Sequence, residues 1–238
     1  MKAFETVRNV LLCVRCPGCG ELLSPYGPPD FCPDCAREVT GYAEEDFHAG
    51  GEIFFKACYE YSGAAEKAIL NFKYGGNYDT GLFFARKMAE IIRQQPSLLD
   101  SDCIVFVPNT KDGRHRKYNQ SEVLARNISK ITGIPVAQGV LRKRARTRSQ
   151  LTCDSESERE INAKKAFKVQ NPEPVKNKKV LIIDDVSTSG STILNIATAL
   201  KDSGAHTVVA CVAGKTRPHR RGKAKIFFNP GTVKTIDE

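Results

Sequence analysis

No apolar run in the 238-residue sequence approaches the ~20 residues that a membrane-spanning helix needs, so direct membrane insertion is not expected. The first residues, Met1 to Val14, hold only the short apolar patch Val10-Leu11-Leu12 and no small-residue cleavage site. That argues against a secretion signal and for a cytoplasmic protein, any membrane connection coming through a partner. No lysine lies between Lys179 and Lys201, which excludes a Walker phosphate loop there. Gly190 stands alone in the same interval, and a Rossmann fingerprint needs three spaced glycines. Internal repeats and low-complexity tracts are missing. No histidine or lone carboxylate offers itself as a general base; His115, His206 and His219 read as surface or packing residues.

What is present fits one moderate domain with a small attachment: 41% hydrophobic and 26% charged residues suit a soluble globular chain. The net charge of +9 is unevenly spread. Arg142-Lys143-Arg144-Ala145-Arg146-Thr147-Arg148 is one basic cluster, and Lys215, Arg217, Arg220, Arg221, Lys223 and Lys225 form another. Such clusters suit polyanions, whether nucleic acid or pyrophosphate; a solvated basic face is the alternative. Aromatic residues that could stack on bases are sparse beside both, Phe227 and Phe228 being the nearest.

The most informative stretch is Val180 to Thr192. Val180-Leu181-Ile182-Ile183 reads as a buried strand of a parallel sheet. Asp184 and Asp185 then stand at its C-terminal end, where open α/β sheets place ligands. Thr188, Ser189, Gly190, Ser191 and Thr192 make a small polar loop. Behind it Ile193, Ile196, Ala197 and Leu200 recur with helical spacing up to a stop at Gly204. Strand, small-residue loop and helix start together form a phosphate cradle, since backbone N–H groups converge there and the helix N-terminus favours negative charge.

Five of the nine cysteines fall between positions 13 and 35. Cys16-Pro17-Gly18-Cys19 and Cys32-Pro33-Asp34-Cys35 are two C-x-x-C knuckles, a spacing suited to structural Zn²⁺ with Cys16, Cys19, Cys32 and Cys35 as ligands. Cys13-Val14-Arg15-Cys16 is an overlapping alternative. Asp46 to Gly51 reads as the junction, dividing a zinc-binding ribbon at 1–46 from a larger domain at 47–238.

Along the larger domain, Ile53 to Tyr61 reads as a strand and Ala65, Ala68, Ile69 and Phe72 as one helix face ending near Gly75-Gly76. A helix follows from about Leu82 to Ile92, then a strand at Cys103 to Pro108 and a helix from about Ser121 to Ile131 stopped by Gly133. Lys179 to Asp184 and His206 to Ala213 supply later strands. Alternating strands and helices predict a parallel sheet flanked by helices.

The Val180–Thr192 segment resembles the phosphoribosyl pyrophosphate (PRPP) motif of type I phosphoribosyltransferases. Val107-Pro108 followed by Arg114, Arg116 and Tyr118-Asn119-Gln120, the stretch from Arg142 to Gln150, Arg159-Glu160-Ile161-Asn162 with Ala166-Phe167, and the cysteine knuckles extend the likeness to the ComF family. Lys117 stands where that family commonly has glycine and Asn109 where leucine is common. The resemblance implies a type I phosphoribosyltransferase-like α/β fold behind a four-cysteine zinc ribbon. It implies that Asp184 and Asp185 face ribose hydroxyls as catalytic-site residues and that Thr188 to Thr192 bind phosphate. Arg114, Arg116 and Lys117 would face pyrophosphate, with Mg²⁺ accompanying PRPP. Arg142, Arg144 and Arg146 are candidates for nucleic-acid contact, or for a flap over the site. The expected partners are PRPP or a ribose phosphate, single-stranded DNA, and the helicase and channel proteins of DNA uptake. Three readings stay open: a Mg²⁺-dependent transferase acting in natural transformation, a non-catalytic single-stranded-DNA-handling protein that keeps the PRPP pocket, and a housekeeping nucleobase phosphoribosyltransferase.

Overall fold

Two long apolar strands, Lys179–Ser187 and Thr207–Lys215, lie side by side at the centre of the sheet. A computed structural model describes residues 14–23, 30–42, 47–49, 53–109, 118–143 and 166–217 of the chain. In chain order the elements are α1 (Pro33–Glu38), β1 (Phe47–Ala49), β2 (Ile53–Glu60), α2 (Gly63–Tyr74), α3 (Tyr78–Gln94), α4 (Pro96–Leu99), β3 (Cys103–Phe106), α5 (Gln120–Thr132), β4 (Leu141–Lys143), β5 (Phe167–Val169), β6 (Lys179–Ser187), α6 (Ser191–Asp202) and β7 (Thr207–Lys215). The main sheet has the order β1-β2-β7-β6-β3. Its three other pairings, β2 with β7, β7 with β6 and β6 with β3, are parallel, and β1 is an antiparallel edge on β2. A separate antiparallel ribbon joins β4 to β5.

Successive strand residues point to opposite faces, so an uninterrupted apolar run serves two cores at once. Val180 and Ile182 of β6, with Val208, Ala210 and Val212 of β7, pack against Ile193, Ile196 and Leu200 of α6. Leu181 and Ile183, with Val209 and Cys211, face the other way onto Ile69 and Phe72 of α2, Phe84 and Met88 of α3, and Leu124 and Ile128 of α5. The expected helix-flanked parallel sheet is therefore present.

Local chemistry sets the boundaries. Asn77 caps α3 by accepting from the Thr80 N–H at 3.3 Å, so that helix starts four residues before the expected Leu82. Asn119 caps α5 through the N–H groups of Ser121 (3.1 Å) and Glu122 (3.4 Å), and Gly133 ends it at φ +84°. Two expectations need correction. Residues 46–51 were expected as a junction, but Phe47–Ala49 pairs with β2 as an edge strand. The strand expected to stop at Asp184 continues to Ser187, because β7 runs beside it as far as Lys215. No helix among the described residues is long and apolar enough to cross a membrane.

Candidate functional site

The strands β3 and β6 part company at the site. Phe106 is the last residue of β3, paired with Ile183, and the Val107 N–H still donates to the Ile183 carbonyl at 3.1 Å. β6 goes on through Asp184 and Asp185 to Ser187. The sequence placed the two acids at a strand end; the structure buries them within the strand, at 7% and 8% exposure. Asp184 accepts from Ser121 Oγ at 2.8 Å and from the Asp185 N–H at 2.9 Å. Burial, and then the charge of Asp185, push its carboxyl up to about 7, against the opposing pull of those two donors and of Lys73. Asp185 forms an ion pair with Lys73 Nζ at 3.1 Å.

Lys73 sits in the last turn of α2, where carbonyls lack helical partners and a cation is favoured. Those carbonyls are met from the start of α5 and the residue before its cap: Tyr118 OH donates to the Phe72 oxygen at 2.9 Å and Gln120 Nε2 to the Lys73 oxygen at 3.1 Å. Asn119 Nδ2 donates to the Val107 oxygen at 3.0 Å, and Asn109 Nδ2 to the Tyr118 oxygen at 3.2 Å. The ends of the 110–117 segment are thus laced together beside the acids. Arg114, Arg116 and Lys117 lie within that segment, outside the described residues.

Thr188 to Thr192 leave the end of β6 and lead into α6. Gly190 takes φ +83°, a left-handed conformation that glycine adopts without strain, and its carbonyl accepts from the Leu194 N–H at 3.0 Å. Ser189 Oγ donates to Ser191 Oγ at 2.9 Å and accepts from the Ser191 N–H at 3.3 Å. Thr188, Ser189 and Ser191 are exposed and Thr192 is half-buried. Behind the loop, Lys215 is 1% exposed and its ammonium donates to the carbonyls of Thr188 and Thr216. Thr216 Oγ1 adds a bond to the same Thr188 carbonyl at 3.1 Å. The result is a pinned, hydroxyl-bearing turn at the positive end of a 12-residue helix, next to two carboxylates. Chemically it offers acceptors for a diol and donors for an anion.

Cys16, Cys19, Cys32 and Cys35 come together with their sulfurs all within 4.8 Å of one another. Cys19 Sγ and Cys32 Sγ are 3.7 Å apart, which matches the edge of about 3.8 Å set by tetrahedral Zn–S bonds of about 2.3 Å. A Cβ on Gly18 would come within 3.0 Å of Cys35 Sγ, so a larger residue there would crowd that sulfur. Burial opposes ionisation of Cys16, but the N–H groups of Cys32, Cys19 and Gly18 outweigh it and bring the thiol down to about 7. Cys35 is pushed up, by burial first and by the neighbouring sulfurs after it. Four sulfurs this close form a donor set that could hold zinc, whose charge would favour the thiolate form of each. Cys13 lies outside the described residues.

Arg142 lies on β4, exposed, while Arg144 and Arg146 lie outside the described residues. Sequence reasoning missed its cross-strand partner: Lys168 of β5 stands directly opposite Arg142. It also missed Lys73, Ser121 and the loop-pinning role of Lys215. Only their spatial neighbours reveal them, since each comes from an element distant in sequence from Asp184 and Asp185. His206 is exposed at the opposite end of β7 from the site, against Thr207 Oγ1.

A family model described as a phosphoribosyl transferase domain matches residues 116–235. The chain is similar to Competence protein F of Haemophilus influenzae, 24% identical over 207 residues, or 81% of this chain and 86% of that protein. It is also similar to DNA utilization protein YhgH of Shigella flexneri, 33% identical over 118 residues that make up 49% of this chain and 50% of that one. These matches bear out the likeness to the ComF family. Among solved structures, the allosteric regulatory enzyme of purine biosynthesis shares 20% identity and a TM-score of 0.40 over 56% of this chain, which spans 26% of that one.

Two outcomes follow. Replacing Cys32 and Cys35 together by serine should abolish zinc retention through desalting, measured by elemental analysis against about one ion per wild-type chain; undiminished zinc would exclude those ligands. Asp184 binds its proton more tightly in the folded chain than in the unfolded one, where it titrates near ~4, so its contribution to stability is full below that pH and is lost as pH rises to about 7. In urea titrations, Asp184→Asn should therefore gain stability relative to wild type across that window and level off above it. A difference independent of pH would contradict the burial of the carboxyl.

Proposed function

Because the chain belongs to the phosphoribosyl transferase domain family, we propose that the end of β6 and the 188–192 loop seat a ribose phosphate, either PRPP or a related sugar phosphate. The protein would serve DNA uptake, as the names of its two curated relatives suggest for them. One observation carries the reading: Asp184 and Asp185 are buried side by side, next to a glycine-entered hydroxyl loop at a helix N-terminus. Two carboxylates deprived of water need donors, and the adjacent hydroxyls of a pentose supply them. The loop N–H and hydroxyl groups are then placed for the 5-phosphate of the same sugar.

Arg114, Arg116 and Lys117 are proposed for the pyrophosphate side, on the segment whose ends Asn109 and Asn119 hold beside the acids. Mg²⁺ bound with PRPP would neutralise phosphate oxygens while keeping part of its water shell. Cations fixed beside the leaving pyrophosphate would lower the barrier to transfer by meeting the charge as it develops. The four-cysteine segment, within residues 1–46, takes Zn²⁺ in a structural role, since four thiolates leave no position for substrate. The sugar phosphate belongs to residues 47–238.

For DNA, the supporting feature is the β4–β5 ribbon. Like charges directly opposite each other cost stability, and Arg142 faces Lys168 in that way. A polyanion relieves such repulsion, and Arg144 and Arg146 would continue the patch.

Isothermal titration should show ribose 5-phosphate and Mg²⁺-PRPP binding to wild type, weakened about ten- to hundredfold in Asp184→Asn/Asp185→Asn, as expected for lost bonds to charged groups. Equal affinity in the variant would refute the seat. Pyrophosphate release from PRPP that depends on an added base or nucleoside marks a transferase, and binding without release marks the non-catalytic reading. Single-stranded DNA affinity should fall with salt, and Arg142→Ser/Lys168→Ser should flatten the log–log slope by about 1.4, two phosphate contacts at about 0.7 each. An unaltered slope would remove the ribbon from the interface.

A further inference from the structure

Lys73 belongs to none of the motifs that point to the site, yet it reaches the acidic pair from the far end of a separate helix. Its ion pair with Asp185 is largely withdrawn from water, with the side chains 15% and 11% exposed. Such a pair is far less screened by salt and solvent than one on the surface. The helix end that carries it is also held in place, by Tyr118 OH on the Phe72 carbonyl and Gln120 Nε2 on its own carbonyl. Two hydrogen bonds thus steady the helix end from which the ammonium reaches Asp185.

We propose that Lys73 is a specificity-determining residue of the sugar-phosphate site: a tethered cation that guards Asp185 against free Mg²⁺ and yields it to a sugar diphosphate that brings its own metal. This rests on the ribose-phosphate reading above. Two adjacent buried carboxylates would otherwise attract any divalent ion. Hydrated Mg²⁺ gives up water reluctantly and would also have to displace the ammonium from Asp185. A sugar diphosphate differs on both counts. Its hydroxyls satisfy the carboxylate oxygens, and its pyrophosphate gives the released ammonium a new anion to pair with. Ser187, two residues beyond Asp185 and hence on the same face of β6, has a buried hydroxyl with no hydrogen-bond partner among the described residues.

The test is a calorimetric titration of MgCl₂ into the ligand-free protein, using wild type, Lys73→Met, Lys73→Gln and Lys73→Arg, with circular dichroism to establish that each is folded. Removing the ammonium should tighten Mg²⁺ binding at least ~10-fold in the folded neutral variants, while Lys73→Arg should stay near wild type. A merely structural lysine would shift the melting temperature and leave Mg²⁺ affinity where it was, and that result would overturn the proposal. Lys73→Gln decides the matter should Lys73→Met not fold. Ribose 5-phosphate binding to wild type reports separately on the seat. Its failure would remove the ribose-phosphate reading, whereas unchanged Mg²⁺ affinity in the neutral variants would remove only the role of Lys73.

Discussion

Burial of two neighbouring carboxylates within the last half of a parallel strand is the constraint around which this molecule is arranged. An unpaired buried charge is costly, so each acid has recruited a partner from a different helix: Ser121 from α5 for Asp184, and Lys73 from α2 for Asp185. Those partners need fixed positions in turn. Asn119 caps α5 and bonds the Val107 carbonyl, while Tyr118 and Gln120 close the end of α2. Parting of β3 from β6 after Ile183 leaves the opening in which this network forms.

Helix α2 links that opening to the cysteine cluster. At its start, Ala64 packs with Cys16, Cys32 and Cys35, and the Gly63 Cα lies so close to the Glu38 carbonyl that a Cβ would come within 2.9 Å of it. Lys67 reaches Glu38 at 3.3 Å, and Phe31 stands edge-on to Tyr59 and Phe83 on the main body. Ten residues beyond Gly63, the same helix delivers Lys73 to Asp185. A metal held by the four cysteines would therefore also brace one end of the helix whose other end serves the acids.

Much of this was legible in the sequence because it rests on local signals. Val180–Ile183 announced a central strand by its apolar run, Gly190 and its hydroxyl neighbours a turn into a helix, and the two C-x-x-C pairs a common site. The extension of β6 to Ser187 was not legible, since it depends on β7 running alongside. Nor were Lys73, Ser121 and Lys168, which acquire meaning only from a neighbour brought close by the fold. Asp46 to Gly51 misled for a related reason: glycine and polar residues signal a break, but the free edge of β2 drew Phe47–Ala49 into the sheet.

The most direct test of the account is a crystal structure of the protein grown with ribose 5-phosphate. The account predicts the phosphate on the backbone N–H groups of residues 188–192 and the ribose hydroxyls within hydrogen-bond reach of Asp184 and Asp185. A sugar phosphate bound elsewhere, with Asp184 still on Ser121 and Asp185 still on Lys73, would contradict it.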